Sequence, residues 1–374
     1  MSYRSDAIDR LTGQAKTTLA FAISIDEKDI TQKLEDRLIS MTITDNRGFE
    51  ADMLDICLND TDGKLQLPRR GAVLTVSLGW KGAPLTPKGS YVVDEIEYTG
   101  APDQLSIRAR SADFRASLNL MREQSWHNTT LGAIIQTIAD RNKLKANLAS
   151  DIAKLAVHHS DQANESDGNY LIRIADHYGL VASIKNNTLI LLKPGNSTTA
   201  SGKPIPPVVI TRKAGDSHSF SVADRDAYTG VIAHYLDTQA AERQKVHVKR
   251  KRKTGKTTWA PDGKLIGDNT QGDYLIGSDE NVKVLRHTYA NKYNATRAAD
   301  SAWRKIQRGV ASFSITLAIG QAAITPEFPV KVSGFKKEID AADWTIKQVT
   351  HTLTDAGFTT ALELEVKVSD LDME

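Results

Sequence analysis

The chain has 374 residues, enough for two or three domains, and its 40% apolar residues can fill several cores. Its net charge of +2 is too balanced for a typical nucleic-acid binder, which carries a large basic excess. The N-terminus has no apolar signal core and no apolar run is long enough to span a bilayer, so we expect synthesis in a cytoplasm without ordinary export.

Residues up to about 118 are predicted to form strands, because apolar and polar side chains alternate and turn-forming residues separate the stretches. The turn signals lie at 45–48, 60–63 and 99–103. Several short strands at this spacing predict a barrel or a sandwich. The single cysteine, Cys57, excludes an intrachain disulfide and is expected to be a small buried residue. The alternating apolar positions are Ile39, Met41 and Ile43, then Leu54, Ile56 and Leu58, then Leu74, Val76, Leu78 and Trp80.

Residues 119–196 are predicted to form a small α+β domain. Apolar residues recur at helical spacing over 131–138, with Asn128 or Thr129 as the N-cap, and again over 171–178, where Gly179 ends the helix. The two strands that follow flank 186–187 and predict a hairpin. The acidic segment 161–167 precedes the second helix, and capping by its Asp or Ser is favoured over calcium binding because the ligand spacing of a calcium loop is missing.

The composition of residues 195–204 is that of a linker. Strand-like sequence then runs from 208 to about 236, a basic interruption follows, a helix is predicted over 295–306, and strands resume from 311. The basic interruption is read as a solvated loop, with docking to an acidic neighbour or to DNA in a channel as the functional alternative. The candidate docking residues are Lys249, Arg250, Lys251, Arg252, Lys253 and Lys256.

An internal repeat relates the two ends of the chain. The stretches LTVS (74–77), YVVDEIEYT (91–99) and LSI (105–107) match VKVS (330–333), WTIKQVTHT (344–352) and LEL (362–364). Two all-β domains of similar design are therefore expected on either side of a different middle domain. Because a symmetric assembly repeats each domain, a trimer of such a chain presents six nearly equivalent units around one axis.

These residues also resemble the phage late control protein D family, the hub proteins of contractile phage tails, and the hub part of the type VI secretion spike protein. The resemblance follows chain order over most of the sequence and is weakest over about 241–285. It is carried by GSYVVDEIE (89–97), IRARSADF (107–114), TLGAII (130–135), DQANESD (161–167) with YLIRIA (170–175), and WTIKQVTH (344–351) with FTTAL (358–362).

The resemblance implies a mainly β, α+β fold in a homotrimer, with two tube-forming β-barrel domains per chain. The expected ranges are 1–118 for the first barrel, 119–196 for the α+β domain, 205–240 with 309–370 for the second barrel, and 241–308 for a basic loop and helix inserted in it. The implied partners are further copies of the chain, the tail tube, the trimeric spike and other baseplate proteins. The implied location is the tail baseplate of a virion or phage-like particle, assembled in the bacterial cytoplasm.

Enzymatic chemistry finds little support in the sequence. No zinc-protease histidine spacing, phosphate-binding loop or nucleophile elbow is present, so no catalytic residue, cofactor or metal is expected. His158 and His159 are adjacent on a predicted strand and should face opposite ways, one packed and one exposed. His351 matches Tyr98 in the repeat and is expected to be a packed strand residue rather than a base.

Three functions remain open at this point. A structural hub predicts trimers with large subunit interfaces. A tail-tip peptidoglycan hydrolase predicts clearing of cell-wall substrate that a single Asp or Glu substitution abolishes. A DNA-binding regulator predicts a sequence-specific shift of duplex DNA, although no helix-turn-helix or zinc module supports it.

Overall fold

We describe the protein from a computed structural model. It describes residues 18–111, 116–195, 199, 203–222, 228, 230–237, 242–249, 258–259, 265–266, 281–309 and 311–366. The fold is mainly β, and its main sheet has 13 strands drawn from both ends of the chain. Among the described residues, no helix combines the length and apolar character needed to cross a bilayer.

The N-terminal unit, residues 19–111, forms one half of the main sheet. Apolar side chains alternate along its strands and point into a shared core, as predicted. Cys57 lies between buried Ile56 and Leu58 but faces the other way and is partly exposed, so the prediction of a buried cysteine was wrong. The elements are β1 (Leu19–Ile25), β2 (Lys28–Asp29), α1 (Thr31–Leu34), β3 (Leu38–Asn46), β4 (Met53–Asn59), β5 (Val73–Trp80), β6 (Thr86–Thr99) and β7 (Gln104–Ser111).

The middle domain, residues 116–195, has a separate core. Its first long helix is capped by Thr130, whose hydroxyl accepts a hydrogen bond from the Ala133 amide at 3.3 Å. The predicted caps, Asn128 and Thr129, were therefore wrong by two residues and by one. The elements are a 3₁₀ turn (Ala116–Asn119), β8 (Met121–Thr130), α2 (Leu131–Arg141), β9 (Lys145–Leu148), α3 (Ser150–Ala153), β10 (Ala156–Ser166), α4 (Asp167–His177), β11 (Val181–Lys185) and β12 (Thr188–Leu192).

Two predicted turns of the middle domain are confirmed. Gly179 follows the end of α4 with a φ of +66°, the left-handed conformation that glycine favours after a helix. Asn186 and Asn187 both have positive φ and join β11 to β12 in a hairpin. Strand β12 also pairs in parallel with β9, which completes a three-stranded sheet.

The described residues within 208–222 and 311–366 form the C-terminal unit, and those within 230–309 form an insertion in it. The elements are β13 (Val208–Thr211), a 3₁₀ turn (Arg212–Ala214), β14 (Gly215–Val222), β15 (Gly230–Asp237), β16 (Glu242–Lys249), β17 (Thr258–Trp259), β18 (Leu265–Ile266), β19 (Val282–Tyr289), α5 (Lys292–Gly309), β20 (Ala311–Leu317), β21 (Pro329–Ser333), α6 (Lys337–Asp340), β22 (Trp344–Thr354) and β23 (Gly357–Val366). Strand β15 pairs with β16 and β19 rather than with the main sheet. The insertion therefore begins between β14 and β15, before residue 241. Trp303 of α5 is buried against β15 and β16 in its core.

The two units share one strand order. Strands β5, β6, β7, β4 and β3 are neighbours in the N-terminal unit, and β21, β22, β23, β20 and β14 follow the same order in the C-terminal unit. A β-bulge lies at the same point of the β6–β7 and β22–β23 pairs, after Val93 and after Ile346. A second bulge lies at the same point of β3–β4 and β14–β20. The flanking strand differs, because β1 pairs antiparallel with β5 whereas β13 pairs parallel with β21.

The strand pairings also test the register of the sequence repeat. Ile107 pairs with Ile96, and Leu362 pairs with Val349, the residue that corresponds to Ile96. The third stretch of the repeat is therefore displaced by two residues from its predicted match, since Ile107 corresponds to Leu362 and not to Leu364. A displacement of two residues keeps every side chain on its own face, so alternation alone does not reveal it.

Candidate assembly joint

The two units are joined through one strand pairing. The first residues of β22 pair with β21, and residues 348–354 pair antiparallel with residues 40–46 of β3. The bulge after Ile346 marks the point where β22 exchanges one neighbour for the other. The joint, as we call this β22–β3 pairing and the side chains around it, makes the two half-sheets continuous.

Apolar side chains of the C-terminal unit complete the core of the N-terminal unit at the joint. Leu353 and Phe358 belong to that core, and the Phe358 ring lies 5.4 Å from the Trp80 ring. The Trp80 indole Nε1 donates a hydrogen bond to the Gly320 carbonyl at 3.0 Å. Gly320 is packed so closely on Phe358 that an added Cβ would overlap the ring.

A buried ion pair crosses the same region. The Lys88 ammonium lies 3.0 Å from the Asp45 carboxylate, and their side chains are only 3% and 10% exposed. The Lys88 Nζ also approaches the carbonyl of Ile324, in the C-terminal unit, at 3.5 Å. Because an unpaired buried charge is costly, each of these two groups requires the other.

His351 occupies the centre of the joint and is fully buried. Its pair on β3 is Ile43, and its Nδ1 lies 3.0 Å from the Thr360 hydroxyl. Burial, together with the nearby Lys88 charge, lowers the pKa of His351 to about 3. The imidazole is therefore neutral at ordinary pH, and the prediction that His351 is a packed strand residue is confirmed.

Polar contacts tie the middle domain to the joint. The side-chain amide of Gln348 donates a hydrogen bond to the side-chain oxygen of Asn46 at 2.5 Å. The backbone N–H of Asn46 donates to the Asp52 carboxylate at 2.8 Å. Lys185 of β11 bonds both Asp52 and the Asn46 carbonyl. Burial raises the pKa of Asp52, and the Lys185 charge opposes that rise.

A second charged cluster surrounds Arg47, between β3 and β4. Its guanidinium pairs with Glu327 and Glu365, and Arg308 of α5 lies 3.6 Å from Glu365. Glu327 also accepts a hydrogen bond from the Gly195 amide at 3.1 Å. Burial raises the pKa of Glu327 and lowers that of Arg308. The cluster brings together the N-terminal unit, the C-terminal unit, the insertion and the end of the middle domain.

A cleft of about 690 Å³ lies beside this cluster, and carboxylates are among the side chains that line it. Glu365 in the cleft is held by Arg47 and Arg308, and Asp176 is paired with Lys305 at 3.0 Å. These carboxylates are used as ion-pair partners. Within the described residues, no group of three or more metal-ligating side chains is brought together.

The acidic segment before α4 is used for capping and for a buried network. The Ser166 hydroxyl accepts a hydrogen bond from the Asn169 amide at 3.2 Å, which confirms the predicted cap. Asp167 is fully buried and pairs with Arg141 at 2.6 Å and with Arg122 at 3.2 Å. The sequence did not reveal this buried carboxylate, because its two arginines are distant in the chain.

Two other predictions have different outcomes. Both His158 and His159 are exposed, so the prediction of one packed and one exposed histidine was wrong. The reason is that, within the part of the chain that the structure describes, β10 pairs with β8 alone, in a two-stranded ribbon whose strands are largely exposed on both faces. For the candidate docking residues, only the backbone of Lys249, at the end of β16, is described, and Arg250, Lys251, Arg252, Lys253 and Lys256 lie outside the described residues.

Comparison with known proteins gives consistent results. A family model described as phage tail baseplate hub (GPD) matches residues 52–357. The probable baseplate hub protein of Escherichia phage 186 is 52% identical over 380 residues, which cover 98% of both chains. The tail protein from Neisseria meningitidis MC58 has a TM-score of 0.65 at 14% identity and covers 93% of this chain and 96% of its own. An Escherichia coli component of the type VI secretion system, with a TM-score of 0.52 at 10% identity, covers 94% of this chain and 79% of its own.

Proposed function

The chain belongs to the phage tail baseplate hub family, and on that premise we propose that three copies form a ring that joins the hexameric tail tube to the trimeric spike. As a baseplate hub it is a structural component of the phage tail and part of the virion. The function proposed here rests on the number and arrangement of its β units.

The shared strand order of the two units is the observation that carries this proposal. Both units repeat the same five neighbours and the same two bulges, so each copy supplies two similar surfaces. Three copies then present six similar surfaces around a threefold axis. A ring of this kind matches a sixfold tube on one side and a threefold spike on the other.

The rigid joint supports the same proposal. An adaptor has to hold its two units at a fixed angle, and the joint does so with a continuous sheet, a shared apolar core and buried ion pairs. Following the expected domain arrangement, we assign each unit to one tube-forming barrel. The insertion then belongs between β14 and β20 of the second barrel.

Sedimentation and imaging test this function. The purified protein, alone and mixed with its spike, is expected to sediment as a trimer, and averaged images down the axis should show six lobes around an open centre. A stable monomer that binds neither tube nor spike would contradict the proposal.

We propose that the hub acts without catalysis. The support is that Glu365 and Asp176, in the cleft beside the joint, are paired with basic side chains. Purified protein is therefore expected to leave peptidoglycan intact. Clearing of cell-wall substrate that a single Asp or Glu substitution abolishes would contradict this.

For the basic run at 249–256 we propose docking to an acidic baseplate neighbour. Its support is the sequence, where six of eight residues are Lys or Arg. Replacing Lys251, Arg252 and Lys253 with Ser should weaken incorporation into tails while the isolated trimer persists. Salt-dependent binding to DNA of any sequence by the unchanged protein would point to a channel-facing role instead.

A further inference from the structure

The end of β6 is exposed at the positions where the end of β22 is covered. Residues 348–354 of β22 pair with β3, and His351 at their centre is 0% exposed. The corresponding residue of β6 is Tyr98, which is 50% exposed. Among the strands that the structure describes, none pairs with this edge of residues 95–99. The N-terminal unit thus has the same strand end as the C-terminal unit, without the covering strand.

The strand that would cover it is present at the opposite end of the sheet. In the C-terminal unit the counterpart of β3 is β14, because both pair with the equivalent strands β4 and β20 and carry the same bulge. Of the strands described, β14 is the last one of the main sheet at that end. Most of its residues are exposed, including Val222 at its end. An uncovered strand edge of this kind is a template for pairing with another chain.

We propose that β6 of one copy pairs antiparallel with β14 of a second copy of this chain, in the register that β22 and β3 use within one chain. In that register Tyr98 lies opposite Phe220, as His351 lies opposite Ile43. Thr99 then lies opposite Ser219, and Glu97 opposite Ser221. This inference rests on the proposed trimer and specifies which surfaces of the copies meet.

The side chains on the two strands fit this pairing. On one face Ile96 and Tyr98 meet Val222 and Phe220, all of them apolar or aromatic, so pairing buries the exposed Tyr98 ring. On the other face small or polar side chains meet, as Thr350 and Thr352 meet Thr44 and Thr42 in the joint.

The pairing also closes the ring. Each copy contributes one β22–β3 joint within the chain and one β6–β14 contact with its neighbour, so three copies have six equivalent connections. A head-to-tail contact of this kind closes when its rotation fits the number of copies.

Disulfide cross-linking tests the register. In a Cys57→Ser background, Thr99→Cys combined with Ser219→Cys places the two sulfurs on directly opposite residues, within reach of a disulfide. Mild oxidation is expected to produce a covalent trimer on a non-reducing gel, whereas each single variant stays monomeric there. As a matched control, Thr352→Cys with Thr42→Cys should form a disulfide within one chain, because that pair is already opposite in the joint.

The cross-linking outcomes separate this inference from the proposed function. Glu97→Cys with Ser217→Cys is displaced by four residues from the proposed register and should give no covalent trimer. The proposed pairing is wrong if the protein sediments as a trimer but the Thr99→Cys and Ser219→Cys pair does not cross-link, whether or not the displaced pair does. The proposed trimer is then unaffected. If the protein stays monomeric even with its spike, both proposals fail.

A surface substitution provides a second measurement. Tyr98→Lys places a charge at the proposed contact and should weaken trimer association about tenfold or more. Leu67→Lys is the matched control, since Leu67 is also an exposed apolar residue but lies outside the strands. Equal trimer affinity for wild type and Tyr98→Lys, with both chains folded by circular dichroism, would overturn the pairing.

Discussion

The N-terminal and C-terminal units share their interior strand order but differ at their edges and connections. Residues 47–52 join β3 to β4, whereas residues 223–310 join the equivalent strands β14 and β20. Asp45 on β3 pairs with buried Lys88, and Val222 stands at the equivalent position of β14. The comparison shows that strand pairing in the interior is retained while the connections and the polar side chains of the edges differ.

The largest effect is expected at the shared interior. Trp344 and its counterpart Tyr91 are both buried, so Trp344→Asp puts a charge into an apolar core and should cost about 5 kcal/mol or more. The C-terminal unit should become sensitive to limited proteolysis. Lys347→Asp, on the exposed face of the same strand, is the control and should leave the proteolysis pattern unchanged. Normal assembly of Trp344→Asp would show that the core does not depend on this position.

The next largest effect is expected where the two units differ. Lys88→Met leaves Asp45 buried without its partner and should destabilise the fold by about 3–5 kcal/mol. Adding Asp45→Val gives the joint the residue that Val222 supplies in the other unit, so the double variant should recover most of that loss. Urea unfolding of the single variants and the double variant measures the coupling. Additive losses would show that the ion pair is not a unit.

The buried histidine predicts a pH dependence. His351 has a pKa lowered from 6.5 to about 3, so below pH 6.5 the unfolded chain binds a proton that the folded chain does not. The contribution of His351 to the free energy of unfolding should therefore decrease as the pH is lowered from 6.5 towards 3, by about 2–3 kcal/mol between pH 7 and pH 4.5. Asp52 and Glu327, whose pKa values are raised, oppose this trend.

The His351 contribution is isolated by comparing wild type with His351→Asn, because the two carboxylates are common to both proteins. The variant should be less stable at pH 7 and should lose less stability on acidification, as measured by urea unfolding at each pH. His158→Asn, at an exposed histidine, should follow the wild-type profile. Parallel profiles for wild type and His351→Asn would argue against this pKa shift.

The smallest effect concerns the contact of Gly320 with Phe358. Gly320→Ala would force the buried Phe358 ring to move and should cost about 1–3 kcal/mol. Gln321→Ala changes an exposed side chain next to it and should cost little. Thermal unfolding of the two variants, followed by circular dichroism, would show whether the joint is as tightly packed as the structure indicates.

Alternation and turn residues were enough to predict the strands of the N-terminal unit, the hairpin at 186–187 and the correspondence of β6 with β22. They did not predict β16 and β19, which lie in the range expected to hold only a basic loop and a helix. They could not reveal the two-residue displacement of β23, because such a shift keeps the inward and outward faces unchanged. They also did not reveal the buried ion pairs of Lys88 with Asp45 and of Arg47 with its two glutamates, because the partners lie far apart in the chain. For the same reason, exposed His158 could not be distinguished from a packed strand histidine.

The insertion between β14 and β20 has a consequence for the proposed ring. It occupies a connection that is only a few residues long in the N-terminal unit. In the ring, every second β unit would therefore carry the insertion, and a rotation by one sixth of a turn would not superimpose the outer rim on itself. A protein that binds the rim from outside would then have three equivalent positions. The tube, which contacts the inner sheet, would still have six similar positions.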